Sequence, residues 1–269
     1  MTQTRFVLAL AAAVLSTGCF QMATTVTVDG DGSGTVRQRL LFTRAAMAQL
    51  QQLAAFGGNN GKTFDPLSED QARADADKLG PGVTFVSSTP IDDASGQGRE
   101  TLYAFTDIRN LRVTQEPAAP GGLGIQAGGV DGMKQPITFG LSPLPGGNAL
   151  LTITMPKPAF DSGALALAGG RASLVSPEQL ELARQMFAGA RLSIAIRPGG
   201  TLVRSSSPYV AGNAITLLDV DFDQLMAGPV LDRLRSVTNA DDARAALKDL
   251  PGLKVSLDPQ ITIEFTPAR

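Results

Sequence analysis

The stretch TVTVDGDGSGTVRQRLLF, residues 25–42, constrains the chain most, because it alternates with period two on both sides of a glycine-rich break. Val26 and Val28 stand opposite Thr25 and Thr27; beyond the break Val36, Gln38, Leu40 and Phe42 share a face opposite Arg37, Arg39 and Leu41. Side chains alternate across a strand and not across a helix, so both flanks read as strands. Between them Asp-Gly, Asp-Gly and Ser-Gly supply residues that accept positive φ, as a hairpin turn requires. The break also begins as a calcium loop does, with Asp29, Asp31 and Ser33 at alternate positions and Gly34 behind them. An EF-hand, however, needs helical flanks and a bidentate Glu at its twelfth position, which counted from Asp29 is Leu40. The turn is the preferred reading, and Asp29 and Asp31 are retained only as weak metal candidates.

The chemistry available elsewhere is narrow. Among 269 residues there is no histidine and a single cysteine, Cys19. Histidine general bases, Ser/His/Asp triads, Cys/His dyads and ordinary zinc sites are therefore excluded, and no disulfide can close within the chain. A formal net charge of −2 with no basic run gives nucleic acid nothing to bind. Neither a GxGxxG turn after a strand nor a GxxxxGK[ST] loop occurs, so no nucleotide cofactor is expected. Carboxylates remain. In LDVDFD, Asp219, Asp221 and Asp223 alternate, so on a strand they would line one face and could hold a cation or serve a carboxylate-dependent hydrolase. The plainer expectation is a solvated strand face running into a helix that Asp221 or Asp223 caps. SSSP at 205–208 has no base to activate a serine and reads as a loop.

The amino-terminal residues carry the clearest signal. Arg5 is followed by ten apolar residues from Phe6 to Leu15, a run too short to span a bilayer, which takes about 20 residues, and suited to a signal-peptide core. The LSTGC that follows, from Leu15 to Cys19, resembles the lipobox of bacterial lipoproteins. Gly18 fits the small position before the cysteine, and Ser16 stands where leucine is commonest. The resemblance implies that residues 1–18 are a signal peptide and that Cys19 is acylated and becomes the new amino terminus. Several acyl chains hold a protein to membrane lipid far more firmly than one. Phe20, and not the aspartate associated with inner-membrane retention, follows the cysteine, which points to an outer membrane and its periplasmic face where the cell has one.

The body, residues 19–269, reads as mixed strand and helix. A helix is expected in TRAAMAQLQQLAAFGG after Thr43, with Ala46, Leu50 and Leu53 on one face, and another in the Ser68–Leu79 run, where Ser68 and Gln71 form a capping box. Strands follow from Val83 and from Glu100, joined across DDASGQG, with another in NALLTITMP. Two stretches near 116–136 and 156–175 are rich in Gly, Pro and Ala yet carry Leu123, Ile125, Val130, Met133, Leu165 and Leu167, and read as flexible insertions. Ser176 opens the clearest helix, with Pro177 behind its cap. Strands are expected around Pro198-Gly199-Gly200 and after Gly212-Asn213, helices near 223–237 and 239–250, and two short strands split by Asp258-Pro259. The expected class is α+β, with antiparallel sheets of hairpins packed against several helices.

The order of lipobox, Asp/Gly/Ser hairpin, helical insert and ARLSIAIRPGGTLVRSS…GNAITL resembles the LppM-type envelope lipoproteins over residues 19–57 and 187–218. The tryptophan common near the end of that pattern is absent. The resemblance implies a lipoprotein body that binds lipid or glycolipid, and it transfers no catalytic residue. The reading is a non-catalytic, membrane-anchored envelope lipoprotein that binds an apolar ligand or another envelope component.

Overall fold

The computed structural model describes residues 20–48, 51, 67–94, 96–114, 135–156, 181, 184, 187–227, 245, 247–248 and 250–268. The signal segment with Cys19, nearly all of the two Gly-rich stretches, and most of the helices expected after Thr43, Ser176, Asp223 and Asn239 lie outside the described residues.

The opening hairpin forms as its alternation requires. β1 (Phe20–Val28) and β2 (Gly34–Phe42) pair antiparallel with Val26 opposite Val36 and Val28 opposite Gly34. β3 (Val83–Asp93) and β4 (Gly96–Phe105) extend the sheet on the β2 side. They are longer than expected: most of DDASGQG belongs to the strands, and Asp93 pairs with Gly96. On the other side of β1 come β7 (Arg191–Pro198), β10 (Ala214–Asp221) and β11 (Leu253–Val255), with the short β9 (Val210–Ala211) beside β10. A second sheet of four strands runs in the order β5 (Thr138–Pro143), β6 (Ala149–Thr154), β12 (Gln260–Pro267) and β8 (Gly200–Ser205).

The expected α+β arrangement is overturned. Of the described residues 54% are strand and 18% helix, so the molecule is mostly β, two packed sheets with short helices as accessories. Nor are the sheets built of hairpins alone: β1 and β7 are parallel, Val26 beside Ile196. Two inward-facing apolar rows, Val26–Val28 and Ile194–Ile196, meet there in the middle of the sheet, and burial on one face decides the partner where hairpin proximity cannot. β5 has no counterpart among the expected strands; Gly140 and Pro143 obscure its alternation. Pro198-Gly199-Gly200 is also no hairpin turn. The chain leaves the large sheet at Pro198 and enters the small one at Gly200, making a corner of the kind by which strands pass between packed sheets. Asn213 fixes that corner: its Nδ2 donates to Pro198 O at 2.8 Å and Gly200 O at 3.0 Å, while its Oδ1 accepts from Leu202 N at 3.2 Å.

One hydrophobic cluster fills the space between the sheets. It takes Val26, Val36, Ile194, Ile196 and Ile215 from the large sheet and Leu151, Ile153, Ile261, Ile263 and Phe265 from the small one. Each fully buried side chain of this size contributes roughly 1.5–3 kcal/mol. Where the large sheet outreaches the small one, at β3 and β4, helix α1 (Glu69–Lys78) covers its inner face. Ser68 Oγ caps α1 by accepting from Gln71 N at 3.2 Å; the Gln71 side chain turns to Asp75 at 2.9 Å, so only half of the expected capping box is made. Ala72 and Ala76 are the buried positions of α1, and Tyr103 of β4 donates its hydroxyl to Ala72 O at 2.9 Å.

Candidate functional site

The Asp29–Ser33 turn is occupied by its own chain. Asp31 Oδ1 accepts from Ser33 N at 2.9 Å and Ser33 Oγ at 2.7 Å, and these bonds, the hydroxyl first, hold its carboxyl below the usual range. The glycines serve close approach. A Cβ on Gly34 would overlap Thr27 O, one on Gly30 would lie 2.5 Å from Pro267 Cβ, and Gly32 has φ +91°. Gly32 O also accepts from Ile108 N at 2.8 Å, tying the turn to the 3₁₀ turn Ile108–Asn110. Position by position the residues are those of a turn wedged between its neighbours. Among the described residues no group of three carboxylates or cysteines is placed to hold a metal ion.

The three aspartates at the end of β10 part company. Asp219 stands on the outer face of the large sheet and takes a forked contact from Arg191, Nε at 3.1 Å and Nη2 at 3.0 Å, with Lys254 Nζ at 3.9 Å. That contact raises the Arg191 pKa above its ordinary value. Asp221 caps α2 (Phe222–Leu225): Oδ1 accepts from Gln224 N at 3.2 Å and Oδ2 from its side chain at 2.8 Å. Asp223 accepts from Gly189 N at 2.8 Å. Each carboxylate has a different partner on a different element. Ser205 and Ser207 likewise make local turns, accepting from Ser207 N at 3.1 Å and Tyr209 N at 3.2 Å.

A different set of residues forms a less ordinary environment. On β4 the inward-facing positions are Arg99, Thr101, Tyr103 and Phe105, paired in register with Leu40, Gln38, Val36 and Gly34 of β2. Tyr103 and Phe105 belong to the main core, whereas Arg99 and Thr101 form a polar strip beneath the sheet. Thr101 is 6% exposed and shares a hydrogen bond of 3.1 Å with Ser88 Oγ. Arg99 Nη1 donates to the same Ser88 oxygen at 3.0 Å. Its Nε is buried and without a hydrogen-bond partner, and no carboxylate pairs with the guanidinium among the described residues.

Beyond this strip lies a second apolar cluster of Phe42, Ala46 and Met47, with Phe20, Leu40 and Leu67 packed against it. It is built by the ends of β1 and β2, where Phe20 pairs with Phe42 and their rings lie 6.4 Å apart, and by the helical turn 44–48, which Thr43 Oγ1 caps through Ala46 N at 3.3 Å. A guanidinium bonded to Ser88 but to no described carboxylate thus stands between two apolar clusters. The sequence carried a signal for it: in RETLYAF the positions that face the core in Tyr103 and Phe105 continue back to Thr101 and Arg99.

No family model and no curated protein matches the sequence. Among solved structures, the chain is similar to the folded domain of LppM from Mycobacterium tuberculosis, determined by NMR, at 8% identity and a TM-score of 0.30, over 94% of this chain and 93% of that one. At that distance the likeness assigns neither a fold family nor an activity.

Proposed function

We propose that this chain is an envelope lipoprotein, anchored through an acylated Cys19, whose body binds an amphiphilic or apolar ligand without catalysing a reaction. The observation that carries the reading is the LSTGC run, in which the only cysteine of the chain closes a signal-type apolar segment. The fold agrees with it: β1 begins at Phe20, so the sheet starts one residue after the lipid and Phe20 itself joins the second apolar cluster. The body is held against the bilayer at the end that carries that cluster. In a cell with an outer membrane, Phe20 after the cysteine favours that membrane and its periplasmic face. The non-catalytic reading draws support from the separate partners of Asp219, Asp221 and Asp223, which among the described residues form no carboxylate pair.

The test is Cys19→Ala. The variant is expected to take up no labelled palmitate and to remain an unprocessed precursor, while the wild type is labelled and matured. A variant that matures and still sediments with membranes after a high-salt wash would overturn the anchor.

A further inference from the structure

We infer that the outer face of the large sheet is a seat for anionic lipid headgroups, on which the body lies flat beside its anchor; the inference rests on the acylated Cys19 of the function proposed above. The alternation that turns Val26, Val36 and Ile196 inward turns Ala23, Thr25, Ser193 and Ala195 outward along β1 and β7. These side chains are small, and exposed cations stand around them: Arg37 and Arg39 on β2, Arg191 and Arg197 on β7, Lys254 on β11. Each comes from an alternating strand, so the patch never shows as a basic run in the sequence.

The acids of this face lie beneath its cations. Glu100 pairs with Arg37 and Asp219 with Arg191, and in each pair the acid is the more covered member, 33% against 58% exposed in the first and 15% against 54% in the second. Asp221 is turned to the start of α2, which it caps. Arg39 and Arg197 enter no ion pair among the described residues. A chain of formal net charge −2 thus presents one surface whose outermost layer is positive, and such a layer complements an anionic leaflet.

The register of β1 says how that face meets the membrane. Arg191 lies beside Gln21, Arg39 beside Ala23, Arg37 beside Thr25 and Arg197 beside Thr27. At about 3.3 Å per residue, Thr27 is roughly 26 Å along the chain from Cys19. A body standing upright on its anchor brings only Arg191 within the roughly 8–10 Å over which charges act in physiological salt. A body lying on this face brings all four. The acyl anchor makes the encounter intramolecular, so a modest attraction per charge is enough.

The experiment uses the acylated protein reconstituted into vesicles of phosphatidylcholine alone or mixed with phosphatidylglycerol. Flotation reads the anchor; modification of arginines by phenylglyoxal, located by peptide mass mapping, reads the face. Arg204, 75% exposed on the outer face of the small sheet, is the control. A basic side chain at an anionic surface shifts the balance roughly five-fold, so Arg39 and Arg197 are expected to react roughly five-fold or more slowly in the anionic vesicles. Arg204 should react equally in both, and high salt should abolish the difference. Arg39→Gln combined with Arg197→Gln should restore the reactivity of Arg37 in the anionic vesicles. Flotation with both vesicles and equal reactivity of Arg39 and Arg197 in both overturns the inference and leaves the anchor in place. Protection of Arg204 as strong as that of Arg39, or protection of Arg39 without Arg197, overturns the flat seat. Failure to float with phosphatidylcholine overturns the anchor and the inference that rests on it.

Discussion

Arg99→Met in the ligand-free protein is expected to change stability by no more than about 1 kcal/mol, an unusual outcome for an inward-facing arginine. The substitution removes a buried N–H that has no acceptor, a relief of about 1–3 kcal/mol. It also removes the Nη1 bond to Ser88, a hydrogen bond from a charged donor worth about 1.5–3 kcal/mol. Ser88 is not orphaned, because its hydroxyl keeps the Thr101 partner at 3.1 Å, and the methionine stem replaces the arginine stem against Leu40. Gain and loss nearly cancel. Were Arg99 instead a strut neutralised by a buried carboxylate, removing it would strand that charge and cost about 3–5 kcal/mol. Urea unfolding followed by circular dichroism measures the difference, provided the slope m is unchanged. A loss of 3 kcal/mol or more (on the scale of a stranded buried charge) in the ligand-free variant would refute the reasoning, because it would show that Arg99 already has its counterion.

Three further outcomes follow from the geometry. Asp29→Asn combined with Asp31→Asn should leave the melting temperature equally insensitive to calcium in variant and wild type; a calcium-dependent rise seen only in the wild type would restore the ion site. Asn213→Ala removes the hydrogen bonds to Pro198 O, Gly200 O and Leu202 N at the sheet corner and should cost about 2 kcal/mol in chemical unfolding; a cost near zero would mean that the backbone alone fixes the corner. Tyr103 is buried, and burial first, with Asp75 second, pushes its pKa up to about 12. The folded state therefore holds this proton where the unfolded chain has released it, so stability should fall between about pH 10 and 12. Tyr103→Phe should lose less stability over that interval, and parallel pH profiles would contradict the assignment.

Local alternation was legible where one face is buried and the other wet. The β1–β2 hairpin, β10 after Gly212-Asn213 and the capped start of α1 appear as their residues predict. The pairing of sequence-distant strands was not legible. Nothing within Thr24–Val28 or Leu192–Ile196 states that the two lie parallel and adjacent, because the choice is made by burial of both rows against a second sheet. Pro-Gly-Gly permits a hairpin or a corner equally, and only the docking of Asn213 selects the corner. The helical bias of the sequence reading arose from Ala-rich segments after Thr43 and Ser176, most of which lie outside the described residues, whereas the described core is built by strands. Of the site, Asp29, Asp31 and the Asp219 group drew attention because carboxylates at alternate positions imitate ligands, yet Asp31, Asp219, Asp221 and Asp223 each have a structural partner, and Asp29 enters the turn through its backbone. Arg99 passed unnoticed because a single arginine in a strand ordinarily faces water; its inward direction follows only from continuing the Phe105, Tyr103, Thr101 alternation back across the hairpin register.

The central claim is that an acylated Cys19 holds the body to the membrane. Intact-mass spectrometry of the wild-type and Cys19→Ala chains purified from membranes tests it most directly. The wild-type chain is expected to begin at Cys19 and to carry acyl mass there, and the Cys19→Ala chain to keep residues 1–18 and carry none. A wild-type chain without acyl mass, or the same amino terminus on both proteins, would contradict it.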